Sequence, residues 1–155
     1  MGVDRRRFGL DTNVLIYAVE AGGGAKARQA EAMVRQAVAT RRCVLAVQNI
    51  GEFYAACVRK RHAAPPAAAA RAVDFTNLFA TVAAGIDEVR LALAEAAGGR
   101  FSYWDALLLA TLGRAGCTVL LSEDMADGAQ LGGITVRNPF AGGAPPTDIK
   151  ALLAS

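Results

Sequence analysis

The chain of 155 residues has one histidine, His62, and three cysteines, Cys43, Cys57 and Cys117, with no Cys-x-x-Cys pair among them. Structural zinc sites and disulfide frameworks both need such residues at close, repeated spacings, so neither is supported. The three thiols, set among apolar neighbours, are expected to be reduced and mostly buried. Any metal chemistry then has to use oxygen donors, which favours Mg²⁺ or Mn²⁺ over zinc. No apolar run approaches the roughly 18 residues of a membrane span. The basic start, Met1 to Arg7, is followed by a short apolar segment that Asp11, Thr12 and Asn13 interrupt, so no secretory leader is read there and a cytoplasmic location is expected. Lysine is scarce, at positions 26, 60 and 150 only.

What the chain does have is apolar residues, 54% of the total, in a length that suits one domain with a substantial core. Short β-like runs alternate with helical segments, a pattern that predicts an α/β domain with a central, mostly parallel sheet flanked by helices. The candidate strands are Phe8 to Leu10, Cys43 to Val47, Thr118 to Leu121 and Ile134 to Val136, with a weak one near Thr81 and Val82. Candidate helices lie between them: a short one after Asp11, then 25–40, 50–61, 67–79, 86–97 and 102–115. Pro65-Pro66 suits a first helical turn, and Gly98-Gly99 and Gly116 are natural helix stops. The domain is expected to span residues 1–140. Residues 141–155 read as a Gly/Pro linker and a short terminal segment that docks on the domain or a partner. The net charge of +3 includes short basic clusters, Arg5 to Arg7, Arg41-Arg42 and Arg59 to Arg61, most of which read as solvated.

Four carboxylates stand at the ends of apolar runs. Asp11 follows Phe8-Gly9-Leu10, Glu52 follows the second strand, Asp105 opens an apolar helix, and Asp124 follows Val119-Leu120-Leu121. Each has a local explanation: Asp11 as a helix N-cap, Glu52 in a capping box with Asn49, Asp105 in one with Ser102, and Asp124 in the first turn after Ser122. Those explanations leave their convergence unaccounted for. In an open parallel sheet, ligands bind beyond the carboxyl ends of the strands, and all four acids are assigned to that rim. Gathered carboxylates repel one another unless a cation sits between them. Two metal ions about 3.5–4 Å apart, held by such acids, are a recurring device for phosphodiester hydrolysis. On the helix bearing Glu52, Ala55, Ala56 and Arg59 share its face; the two small residues leave room for a nucleic-acid backbone and Arg59 is placed to reach a phosphate. Asp127 is a candidate fifth ligand, and Glu123 is expected to face solvent. Tyr103 and Trp104 are read as core or interface residues, with base stacking as the alternative.

The order Asp11-Thr12-Asn13, Glu52, Asp105, Ser122-x-Asp124 resembles that of PIN-domain nucleases, and more narrowly the VapC-type toxins of bacterial type II toxin-antitoxin modules. Gln48 to Tyr54, Tyr103 to Leu107, Ser122 to Gly128 and Val136 to Phe140 carry the similarity over nearly the whole chain. The resemblance implies cleavage of RNA dependent on Mg²⁺ or Mn²⁺, a homodimer, and neutralisation by a cognate antitoxin protein. It makes Asp11, Glu52, Asp105 and Asp124 the metal-binding acids, with Asp11 and Asp105 the principal ligands and Glu52 holding or deprotonating the attacking water. Asn13 and Ser122 orient ligands or water from behind, and Asp127 is peripheral. With one histidine in the chain, a metal-free ribonuclease mechanism is disfavoured.

Two other enzyme classes fit less well. A phosphatase built on a strand-end Asp nucleophile of the haloacid dehalogenase type needs a second acid where this chain has Asn13, and a receiver domain needs a well-placed lysine. The stronger rival is a catalytically silent PIN-like binding module that acts through protein or RNA partners.

Overall fold

The computed structural model describes residues 4–155; the first three residues of the basic start lie outside it. The elements run β1 (Arg7–Leu10), α1 (Thr12–Val19), α2 (Gly24–Thr40), β2 (Cys43–Ala46), α3 (Val47–Arg59), α4 (Pro65–Leu78), β3 (Ala80–Val82), α5 (Ile86–Ala97), α6 (Tyr103–Arg114), β4 (Cys117–Leu121), β5 (Gln130–Leu131), β6 (Ile134–Arg137) and α7 (Thr147–Leu153). They form an α/β fold around one six-stranded sheet in the order β3-β2-β1-β4-β6-β5. The first five strands in that order are parallel, and only β5 runs antiparallel, against β6.

Both faces of the sheet are covered, which is why its strands read as continuous apolar runs. Phe8, Leu10, Cys43, Leu45, Val119 and Leu121 point into a core completed by α1, α2, α3, α4 and α7. The alternate residues Val44, Ala46, Leu120, Ile134 and Val136 meet Leu108, Leu109 and Leu112 of α6 on the other face. Gly9 permits that close approach: a Cβ there would stand 2.6 Å from Leu112 Cδ1 and 3.3 Å from the Val44 carbonyl. Cys43, Cys57 and Cys117 are buried free thiols.

Several boundaries differ from the sequence expectation. β2 stops at Ala46, whose extended backbone caps α3, so the helix starts at Val47 and not at Ile50. Asn49 is therefore inside the first turn and is not an N-cap. The two-residue β5 carries too little pattern to be read from sequence. The terminal segment is built into the core, with Ile149, Leu152 and Leu153 buried beside Phe8 and Met33. Arg42 holds it there, donating to the carbonyls of Leu152 (2.7 Å) and Ala154 (3.0 Å) that a helix end leaves unpaired. Among the described residues no helix is long and apolar enough to cross a membrane.

Candidate active site

β1 and β4 are neighbours, and Leu10 pairs with Leu121. The next residue along each strand therefore emerges at the same carboxyl edge: Asp11 from β1 and Ser122 from β4. Asp11 caps α1, its Oδ1 accepting the Thr12 N–H at 2.7 Å, while Oδ2 accepts the Ser122 hydroxyl at 2.7 Å. Capping and placement at the strand edge are thus one arrangement, not rival explanations. The same edge receives Glu52 from the second turn of α3, Asp105 from the first turn of α6, and Asp124 from the turn after β4. Asp105 is set by Ser102, whose Oγ accepts the Asp105 N–H at 3.1 Å. The apolar stripe below it, Leu108, Leu109 and Leu112, is buried.

All four acids line one cleft of about 380 Å³, together with Asn13, Tyr17, Ala55, Ala56, Arg59 and Lys60. Ser122 lies fully buried behind it. Asn13 reaches Ser122 Oγ at 3.4 Å, and its side-chain oxygen accepts the Glu123 N–H at 3.4 Å, so the pair ties α1 to the turn that carries Asp124. Glu52 does not close a capping box with Asn49. Its Oε2 accepts the Thr12 hydroxyl at 2.9 Å and its Oε1 accepts Gln48 Nε2 at 3.0 Å, an i,i+4 contact made possible by the early helix start.

Two acids of the Ser122 to Gly128 turn are occupied elsewhere. Glu123 does not face solvent freely: Tyr17 Oη donates to it at 2.8 Å and Lys26 Nζ pairs with it at 2.8 Å. Asp127 accepts Arg137 Nε at 3.1 Å and the Asn138 N–H at 2.8 Å, and is not among the residues that line the cleft. Trp104 is not a core residue; it is 61% exposed beside Asp105, edge-on to Tyr103.

None of the four cleft acids is paired with a lysine or arginine among the described residues, although Arg59 and Lys60 stand on the same wall. Burial first, then the charges of Asp124 and Glu52, raise the Asp11 carboxyl to about 6, against the pull of the Ser122 and Thr12 hydrogen bonds. Asp105 is raised as well, again by burial first, with Asp124 and Glu52 adding to it. Unneutralised negative charge on oxygen donors suits a hard divalent cation. As the side chains lie, no three Asp, Glu, His or Cys residues among those described are drawn together tightly enough to hold an ion. The donor set therefore suits Mg²⁺ or Mn²⁺ in kind, but the carboxylates as placed do not form a closed metal site.

An acid-lined cleft at the carboxyl edge of a parallel sheet defines a class of α/β domain, and the sequence profile of the PIN domain matches residues 9–126, the stretch that carries all four acids. The chain belongs to the PIN domain family. The crystal structure of Mycobacterium tuberculosis VapC20, a sarcin-ricin loop cleaving toxin, is similar in fold, with a TM-score of 0.58 at 18% sequence identity over 76% of this chain and 91% of that one. A search of curated proteins finds no match.

The residues that sequence reasoning missed are Gln48 and Thr12, which hold Glu52, and Asn49 in its actual role. The signal available was the polar pair Gln48-Asn49 directly after an apolar strand, which is legible only once the helix is started at Val47.

Proposed function

We propose that this chain is a Mg²⁺- or Mn²⁺-dependent endoribonuclease that acts as the toxin of a toxin-antitoxin module. The observation that carries the reading is the cleft itself, where Asp11, Glu52, Asp105 and Asp124 meet with no salt bridge to a lysine or arginine among the described residues, while Arg59 and Lys60 offer positive charge in the same lining. RNA is the proposed substrate, and the likeness of fold to VapC20 supports that choice. A cognate antitoxin and a second copy of the chain are the proposed protein partners, and for these the sequence resemblance is the support.

Asp11, Glu52, Asp105 and Asp124 would hold the metal, with Asp11 and Asp105 as its main ligands. When bound, a divalent ion neutralises the carboxylates and the charge that builds on the phosphate. Arg59 and Lys60 steer and grip the RNA backbone as point charges. Ser122 and the Thr12 N–H hold Asp11 in a single orientation. Glu52 accepts hydrogen bonds from the neutral donors Thr12 and Gln48, which leave it placed to take a proton from the attacking water.

The test is cleavage of several RNAs by the purified chain in Mg²⁺ or Mn²⁺, with Asp11→Asn and Asp105→Asn as variants. Each should lose at least about 100-fold in rate, since even partners one step removed from a metal commonly cost 10–100-fold. Wild-type rates in both folded variants would overturn the proposal. Mn²⁺ binding without cleavage of any RNA would favour the silent binding module.

A further inference from the structure

Asn49 is fully buried and donates twice. Its Nδ2 reaches Thr12 Oγ1 at 2.9 Å and Asp11 Oδ1 at 3.3 Å. Thr12 in turn gives its one hydroxyl proton to Glu52 Oε2 at 2.9 Å. The direction of every bond in this chain is determined. Both ends are carboxylates, which accept only, so the amide must present its nitrogen and the hydroxyl must point at Glu52. The Asn49 carbonyl oxygen consequently faces away, and it is buried with no hydrogen-bond partner among the described residues. Leaving such an oxygen unpaired costs stability. An apolar residue at this position would avoid that cost, so what the amide contributes is its two N–H groups.

Neutral donors suit this place for a second reason. Asp11 and Glu52 come from different elements, at the end of β1 and on α3, and like charges on facing walls push those elements apart. A lysine or arginine between them would cancel the charge that a metal needs. An amide and a hydroxyl join the two carboxylates while leaving their full charge in the cleft.

We propose that Asn49 and Thr12 form a neutral hydrogen-bond relay that fixes the position of Glu52 relative to Asp11, which makes Asn49 a positioning residue for the reaction. The inference rests on the nuclease reading above for its effect on turnover, but the relay itself is a property of the protein without metal or RNA. In that state its probe is the side-chain NH₂ pair of Asn49, observed by NMR in ¹⁵N-labelled protein. The hydrogen-bond partners of Glu52 are Thr12 and Gln48, not Asn49, yet Glu52→Gln should shift both Asn49 side-chain resonances. Unchanged resonances would overturn the relay, whether or not any RNA is cut.

The turnover arm uses Thr12→Val, which keeps the shape and removes the hydroxyl, and Asn49→Ala. Each should lower kcat by about 10- to 100-fold at saturating Mn²⁺, the range for groups that orient metal ligands, with the KM for RNA little changed. Thr12→Ser, which restores the hydroxyl, should recover most of the loss; a purely structural role for Thr12 would give no such recovery. Wild-type kcat in a folded Thr12→Val protein would overturn the proposal. A wild-type chain that cleaves no RNA would instead bring down the nuclease reading, and the NMR arm would still decide the relay.

Discussion

Ser122 Oγ donates to Asp11 Oδ2 at 2.7 Å and joins two residues 111 positions apart in the chain. The pairing follows from strand register: Leu10 sits beside Leu121, so the residues that follow them leave the sheet side by side. Ser122 also accepts the Asp124 N–H at 3.2 Å, so one hydroxyl serves two of the four cleft acids. Ser122→Ala leaves a buried carboxylate oxygen without its donor, at a cost of about 1–3 kcal/mol by urea denaturation at neutral pH. A loss below the error of the measurement would show that water replaces the hydroxyl.

The Asp11 carboxyl is raised to about 6, chiefly by burial, so the folded chain binds this proton more tightly than the unfolded one does. The sign follows: ionised Asp11 costs stability in full above about pH 6, and that cost is relieved as the pH falls toward the ordinary carboxylate range. Without divalent metal, the melting temperature should rise between pH 7.5 and pH 5.5. Asp11→Asn should flatten that rise and stabilise the protein at pH 7.5, by an amount bounded at about 3 kcal/mol for a shift of some two units. Parallel profiles for wild type and Asp11→Asn would contradict the assignment.

Glu123 and Asp124 are neighbours in sequence with separate fates. Lys26 and Tyr17 hold Glu123, and Lys26 first, then Tyr17, lower its carboxyl despite partial burial. Asp124 lines the cleft. Glu123→Gln should change the rate of RNA cleavage by less than about tenfold, under ~1.4 kcal/mol in the barrier. Its stability should fall by no more than about 1 kcal/mol, as for other partly exposed ion pairs. Asp124→Asn should all but abolish cleavage. The reverse ranking in a cleavage assay would exchange the roles of the two acids.

Gly9 lies beneath a close helix-on-sheet contact, with Leu112 fully buried above it. Gly9→Ala should cost about 1–3 kcal/mol through overpacking, measured by chemical denaturation. Leu112→Val in the same chain should recover part of the loss, because it withdraws the methyl that the new Cβ meets. Strict additivity of the two changes would place the strain elsewhere.

The acids were legible because an ionised group at the end of an apolar run has few structural reasons to be there. Their common edge followed from the rule that parallel strands point one way. Three features were not legible. Asn49 looked like a cap because Asn three residues before Glu is a common helix start, but Ala46 and Val47 take the helix up directly from the strand. Glu123 looked solvated because its partners, Lys26 and Tyr17, lie about a hundred residues upstream. The terminal helix α7 was read as docking on the domain or on a partner because its apolar residues are few, and only the structure shows that they complete the core between β1 and α2.

The order of residues along the chain was enough to specify an α/β domain and the alternation of its strands and helices, and to nominate the candidate acids, since hydrophobic periodicity and charge placement are local properties. Only the tertiary structure decided which acids share the cleft, which are held by Lys26 or Arg137, and which neutral groups orient them. Those choices depend on strand register and on hydrogen bonds between residues far apart in sequence, and such bonds take their length and direction from the packed sheet, not from any local pattern.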